Sequence, residues 1–469
     1  MAYSRTWSLT LTHVLVWTFA LSWALDFKAE AGASGHGGTL GQAVFLGLSV
    51  FAGGAVMALN ARFLTRRPGV WLLAMWWGFL IFVTVVSLVQ GVEIGRFARI
   101  VIPYLLIGLG LGVAQAAAGR GLSAHQIVLP WVVAGTINIV WRIGYGFAVK
   151  GATLETARME VFSPAMNPLF AYLAAAWLLR PRFPWSTLVV AAAALCGMLL
   201  TVTRALLFPM AVAGGLGAVC LLLSLKWRAL PPRVIPRKLG VLAAGLGAAL
   251  VAMVAVPLAA PTLAERWEQR LFHHASDRQL SADPSWLSRA AEARGMLSIL
   301  QNEPLDFLWG RGIGASYHWD PSYWPELWAV YPADTDFSAD IWYNSHSLWT
   351  YTIFSGGAVG LACHLALLVG AAGIGVVAVR AAGRAGRVDD QSWLGFLPLL
   401  VVACLVSESA TSNQLAERLS GVILGMTAGA TQALYGRRRG AGIPNGTAHH
   451  PWPPARLAST PPSPPLHAP

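Results

Sequence analysis

The chain has 469 residues, of which 56% are hydrophobic and only 12% charged, and its formal net charge is +12. So little charge excludes a water-soluble domain of this size. Apolar blocks recur at the ~20-residue length that crosses a ~30 Å bilayer core as a helix, which makes membrane lipids the partner and excludes nucleic acid as the reason for the positive charge.

In chain order, an all-α polytopic protein with about twelve transmembrane helices is expected. The spans fall at approximately 7–25, 41–60, 69–91, 98–118, 124–145, 164–180, 184–203, 205–225, 239–262, 348–379 (with a break), 392–412 and 417–436. The first, Trp7 to Leu25, lacks a small-residue cleavage site and reads as a retained span. Basic residues cluster in alternate loops: Arg62, Arg66 and Arg67; Arg120; Arg180 and Arg182; Lys226 to Lys238; Arg380, Arg384 and Arg387; and Arg437 to Arg439 after the last span. The excess of such residues in cytoplasmic loops places both termini inside. Cys196, Cys220, Cys363 and Cys404 all lie in apolar blocks and read as packing residues. No internal repeat marks an inverted-repeat transporter.

The chain divides into residues 1–262 with nine spans, a cap loop at 263–346, three spans at 347–436, and a disordered cytoplasmic tail at 437–469. The Asn445-Gly446-Thr447 sequon falls in that tail and reads as a chance match. Residues 263–345 hold 12 of the 21 acidic residues, 7 of the 21 tryptophans and no lysine. An ordered outer loop of this length is a place to look for function. Within it, the spacing predicts a helix over Ser285–Leu300, with Trp286, Ala290, Ala293, Leu297 and Leu300 near one face.

Arginines are out of place on the outer side, where Arg96, Arg99, Arg142, Arg158, Arg204, Arg289 and Arg294 are expected. Arg142 ends the fifth span in NIVWRIGYG, and Arg204 sits in LLTVTRALLF between two apolar blocks. A charge at that depth costs a few kcal/mol unless it snorkels to headgroups or faces a polar cavity. The planar fork of arginine suits phosphate oxygens, so the set points to a lipid-anchored phosphate or pyrophosphate.

In NSHSLWTYTIFSGGAVG (344–360), Ser345 reads as an N-cap, with His346 in the first turn of a short helix. The positive end of that helix would keep the ring neutral and able to accept a proton. Ser355-Gly356-Gly357 then breaks the helix before a span from Ala358. A bland reading, a histidine bonded to backbone, is given to His273, His274, His318 and His364. Asp334-Thr335-Asp336 is a competing signal, because two carboxylates at that spacing can hold a divalent metal. No nucleophile elbow supports Ser/His/Asp hydrolysis.

Several of these stretches together resemble the bacterial O-antigen ligases, within the O-antigen ligase/polymerase superfamily of membrane glycosyltransferases. His346-Ser347, followed by Gly357 and Gly360, is similar to the family's histidine-glycine motif. TVTRALLF resembles its Ser/Thr-Arg-small stretch and aligns Arg204 with the motif arginine. Arg289, followed by Pro304 and WGRGIG at 309–314, resembles its Arg-helix-Pro-Leu-x-Gly-x-Gly run. Arg158 through Asn167-Pro168 resembles a further Arg…Pro-Asn stretch, although here the proline follows the asparagine. The resemblance covers roughly residues 90–430.

It implies a GT-C-like fold in the bacterial inner membrane, with a large folded periplasmic loop and a site facing the periplasm. It also implies transfer of polysaccharide from undecaprenyl pyrophosphate to a sugar hydroxyl of lipid A-core, inverting, with no metal and no cofactor. His346 would be the general base, and Arg204 and Arg289 would hold the pyrophosphate, with Arg158, Arg142 and Arg294 as further contributors. An O-antigen polymerase or a protein O-oligosaccharyltransferase would use the same donor. A polyprenyl-linked glycan transporter or a membrane scaffold would leave the histidine and the cap without a role.

Overall fold

The computed structural model describes residues 2–27, 40–66, 69–154, 156–157, 161–271, 284–328, 342–385, 391–409 and 412–440. Among the described residues the secondary structure is helical, apart from one isolated bridge between Tyr317 and Trp342. The helices are α1 (Ala2–Leu21), α2 (Leu40–Leu59), α3 (Gly69–Val89), α4 (Ile94–Arg120), α5 (Ala124–Ala148), α6 (Met166–Leu179), α7 (Thr187–Thr201), α8 (Leu207–Lys226) and α9 (Ile235–Ala259). They continue with α10 (Pro261–Leu271), α11 (Pro284–Asn302), α12 (Pro304–Trp309), α13 (Trp324–Trp328), α14 (Leu348–Arg384), α15 (Leu397–Ser409) and α16 (Arg418–Gly440).

Each of the twelve apolar segments read from the sequence coincides with a helix. Among the described residues, seven helical segments are long and apolar enough to cross a membrane by length and composition. Large apolar side chains such as Phe51, Trp71, Ile81 and Val369 stand exposed on the outside of the bundle, as lipid-facing residues do in a helical membrane protein.

The tightest pairing in the bundle is between α4 and α16. Gly421, Gly425 and Gly429 repeat every fourth residue along one face of α16 and lie against the carbonyl oxygens of Pro103, Ile107 and Leu111 on α4. A Cβ on Gly425 would stand 2.5 Å from the Ile107 oxygen. Small residues at this spacing let two backbones meet, which is how helices gain contact where no hydrophobic force drives them together.

The bundle has two chemically distinct ends. At one, Gln115 donates to the Leu64 carbonyl at 2.6 Å, Lys238 Nζ caps the C-terminus of α6 through the Trp177 carbonyl at 2.7 Å, and Arg380 lies over the Trp227 ring. These contacts gather loops rich in basic residues. The other end carries the 22–27 turn, the start of α6, the loop before α8, residues 284–328 and 342–347, and residues 412–418.

Cap and bundle are joined through a helix break. α14 is interrupted at Gly357, which has φ 62° and ψ −159°, a conformation open to glycine and costly for any residue with a Cβ. The WGRGIG loop plugs into the break. Arg311 N–H donates to the Phe354 carbonyl at 2.7 Å and Gly312 N–H to the Ser355 carbonyl at 3.0 Å. Gly310, at φ 81°, lies so close that a Cβ there would be 2.5 Å from Gly356 N. The helix predicted over Ser285–Leu300 is present as α11, but its buried face is Leu287, Ala291, Glu292, Met296 and Leu300, while Trp286 is exposed. The predicted face was rotated by about one residue.

Replacing Gly425 with alanine forces backbone apart along the α4–α16 seam, an overpacking cost of about 1–3 kcal/mol. Gly425→Ala is expected to lower the melting temperature of the purified protein. Gly373→Ala on α14, whose new Cβ meets nothing within 4 Å, is expected to leave it unchanged. Equal melting temperatures for the two variants would remove the seam from its structural role.

Candidate functional site

The segment before α14 is built by short polar contacts. Ser347, not Ser345, is the N-cap: its side chain accepts from Thr350 N–H at 3.5 Å. Ser345 Oγ instead accepts from Ser347 N–H at 2.9 Å, which tightens the turn. His346 therefore lies just outside the helix, and the helix-start argument for its ring does not apply. The reason is local: two serines flank the ring, and the second occupies the cap position.

His346 is held from another direction. Its side chain is 55% exposed, yet Nδ1 lies 3.2 Å from Oε2 of Glu292, a carboxylate that is itself only 1% exposed. Glu292 Oε1 also accepts the His346 backbone N–H at 3.0 Å and the Tyr317 hydroxyl at 2.5 Å. Tyr317 Oη is also 2.7 Å from the Asn344 carbonyl, so this phenol ties the bridge segment, α11 and the histidine turn together. Burial, with the Glu292 carboxylate beside it, pushes the Tyr317 phenol well above its ordinary pKa, so it remains a donor. Nε2 of His346, on the far side of the ring, has no partner among the described residues.

Around this core lie further polar groups. Trp349 Nε1 donates to Ser409 Oγ at 2.5 Å and Asn413 Nδ2 to Asn344 Oδ1 at 3.3 Å, bringing the end of α15 beside the histidine turn. Asn167, at the start of α6, donates to Glu408 on α15. Cys404 on α15 contacts the Pro209 carbonyl on α8, so the 202–206 segment that precedes α8 sits near the same end. Trp319 and Trp342 stack at 5.2 Å, and Trp342 lies 6.5 Å from the His346 ring.

The arginines do not form one set. Arg289 is partly buried on α11, three residues before Glu292 and thus on a neighbouring part of the same helix surface. Arg204 opens a short 3-10 helix, Arg204–Leu206, two residues after Val202, a β-branched residue at φ 46°. Backbone strain at a residue of this type clusters at functional sites. The α7 end beside it is held by Trp267 Nε1 of α10, which donates to the Leu199 carbonyl at 3.1 Å. Arg294 is exposed on the other face of α11, over the Tyr323 ring at 5.8 Å. Arg99 reaches Tyr343 Oη at 3.4 Å, three residues before His346. Arg158 lies outside the described residues, as do Asp334 and Asp336, His273 and His274, and the tail beyond 440.

Arg142, read from the sequence as a pyrophosphate contact, has a different position. It is 1% exposed, and its nitrogens face the protein's own acceptors: the Asp26 carbonyl at 3.3 Å, the Phe162 carbonyl at 2.5 Å and the Glu417 carboxylate at 3.0 Å. Arg418 pairs with Asp26 at 3.1 Å beside it. Burial raises the Asp26 pKa above the ordinary carboxylate value, against the pull of Arg418 and Arg142. Among the described residues, two cations and two carboxylates balance one another here. The sequence revealed a deep charge but not the loop carbonyls that surround it.

Gly357 and Gly360 of the predicted motif have structural parts: Gly357 makes the break, and Gly360 fits against Thr352 and Phe79. His364 has the backbone partner assigned to it, Gly360 O, at 2.8 Å. Glu292 and Tyr317 were missed. The signal available was the position of Glu292 one turn after Arg289, on what becomes the buried face. No protein-family model matches the chain, and a search of curated proteins found no significant match.

Arg142 and Arg289 are separable by experiment. Removing one member of a buried pair costs about 3–5 kcal/mol, so Arg142→Ala is expected to reduce folded yield and melting temperature sharply. Arg289→Ala, at a partly exposed position, is expected to keep the wild-type melting profile. Comparable losses of stability in both variants would contradict this division.

Proposed function

We propose that the chain is a membrane glycosyltransferase of the O-antigen ligase kind. In this reading twelve helices cross the inner membrane in a GT-C-like arrangement, and the end that carries His346 faces the periplasm. The segregation of basic loops to the opposite end of the bundle supports that orientation. The reading is carried chiefly by one observation: an exposed imidazole whose inner nitrogen faces a buried carboxylate and whose outer nitrogen has no protein partner among the described residues.

The donor would be a glycan on undecaprenyl pyrophosphate, its phosphates held by Arg289 and Arg204, and the acceptor a sugar hydroxyl of lipid A-core. His346 Nε2 takes the acceptor proton as the acceptor oxygen bonds to the anomeric carbon. The bond from that carbon to the pyrophosphate oxygen breaks, and its electron pair leaves with the pyrophosphate. Attack opposite the leaving group inverts the anomeric centre. Guanidinium groups fixed where the negative charge grows lower the barrier without reorganising, and a positioned base adds ~10²–10⁴-fold. Tryptophans near the ring, with Trp319 and Trp342 stacked beside it, offer apolar faces suited to pyranose rings.

The test is transfer by purified protein from undecaprenyl-pyrophosphate glycan to lipid A-core. His346→Ala is expected to lower turnover by ~10²–10⁴-fold while folding and donor binding persist, and EDTA is expected to have no effect. Full transfer by His346→Ala, with loss in EDTA, would move the chemistry to Asp334 and Asp336. Transfer to a second glycan or to protein, but not to lipid A-core, would replace the acceptor.

A further inference from the structure

We infer that Glu292 is the positioning residue of this site: it accepts a hydrogen bond from the Nδ1–H of His346, turns the Nε2 lone pair toward the acceptor hydroxyl, and provides the resident countercharge once that ring is protonated. The inference rests on the functional reading above and adds a residue to it.

The surroundings of Glu292 carry the argument. A carboxylate 1% exposed is costly unless it is paired or well bonded. Its acceptor sites are filled by three donors: the Tyr317 hydroxyl at 2.5 Å, the His346 backbone N–H at 3.0 Å and the His346 ring at 3.2 Å. Among the described residues no lysine or arginine pairs with it.

An ionised Glu292 can only accept hydrogen bonds, so the neutral ring satisfies it by carrying its proton on Nδ1. Nε2 is then the bare nitrogen, and it lies on the exposed side. When Nε2 takes the acceptor proton, the ring becomes a cation 3.2 Å from a buried anion, and the step creates an ion pair where there had been one unpaired charge. The proton returns to solvent after the pyrophosphate departs. Tyr317 and the backbone N–H fix the carboxylate so that it cannot swing away from the ring. Glu292 touches neither donor nor acceptor and works through His346.

Two measurements test this. In protein labelled with ¹⁵N-histidine, the His346 signals are assigned by difference against His346→Ala, and the tautomer is read at a pH where the ring is neutral. Wild type is expected to carry the proton on Nδ1. Glu292→Gln, which can offer an amide donor to Nδ1, is expected to shift the proton to Nε2, as an outward donor. In the transfer assay Glu292→Gln is expected to lower kcat by ~10²–10⁴-fold with KM for the donor unchanged, the pattern of a lost transition-state contribution and a wrong tautomer.

The wild-type tautomer requires no variant to fold, so a bare Nδ1 there overturns the role of Glu292 whatever the assay gives. Undiminished kcat in a folded Glu292→Gln protein does so too. Absence of transfer by wild-type protein instead overturns the functional reading on which the inference rests.

Discussion

The seam between α4 and α16 is the contact on which the rest of the arrangement depends. Inside a bilayer an apolar side chain gains little by leaving lipid for protein, so helices are held by close fit and by polar contacts. Gly421, Gly425 and Gly429 allow α16 to rest on the carbonyl row of α4. That approach fixes where the start of α16 emerges. Glu417 and Arg418 then meet Arg142 and Asp26, and Asn413, just before them, meets Asn344 beside the histidine. A fit between backbones in mid-bundle thus sets the position of polar groups at its end.

The second constraint is the lock between cap and bundle. A long loop outside a membrane has no reason to keep one orientation unless it is tied down. Here the tie is main chain on main chain, the 310–312 backbone entering the break that Gly357 makes in α14. Gly314 N–H on Tyr351 Oη at 3.1 Å and Ile313 N–H on Ser87 Oγ at 2.9 Å extend it to side chains. Because α11 leads into this loop and His346 leads into α14, the lock sets both partners of the Glu292–His346 contact. The glycines of the motif and the histidine eleven residues before the first of them are parts of one device.

Much of this was legible in the sequence and some was not, for definable reasons. Apolar blocks gave the helices because length and hydropathy suffice for that. The break at Gly357 was legible because three small residues stood in an apolar run. The buried face of α11 was misplaced because alanines at 290, 291 and 293 make its apolar stripe nearly continuous, and a 100° rotation changes little in the pattern. A buried acid defeats pattern reading altogether, since Glu292 looks like a solvent residue until Tyr317 and His346 arrive from elsewhere in the chain. Arg142 failed in the opposite sense: its depth was seen, but its acceptors, the carbonyls of residues 26 and 162, have no signature in side-chain identity.

The two ionisable clusters at this end of the bundle differ in a way that bears on their purpose. Asp26, Arg142, Glu417 and Arg418 comprise two positive and two negative groups, so among the described residues the set balances its own charge. Such networks are retained for shape, and removing a member exposes the cost of the charge left behind. The Glu292 cluster is open. It holds one buried negative charge, a ring that is not permanently charged, and a phenol that stays a donor, with Arg289 one turn away. A fold that sought only stability would have closed this cluster with a lysine or arginine, or filled it with an apolar residue. Leaving the positive charge to arrive with a proton makes the carboxylate most favourable at the moment His346 accepts one. In the proposed reading that is what a proton-transferring histidine requires, and it separates this cluster from the charge-balanced network beside it.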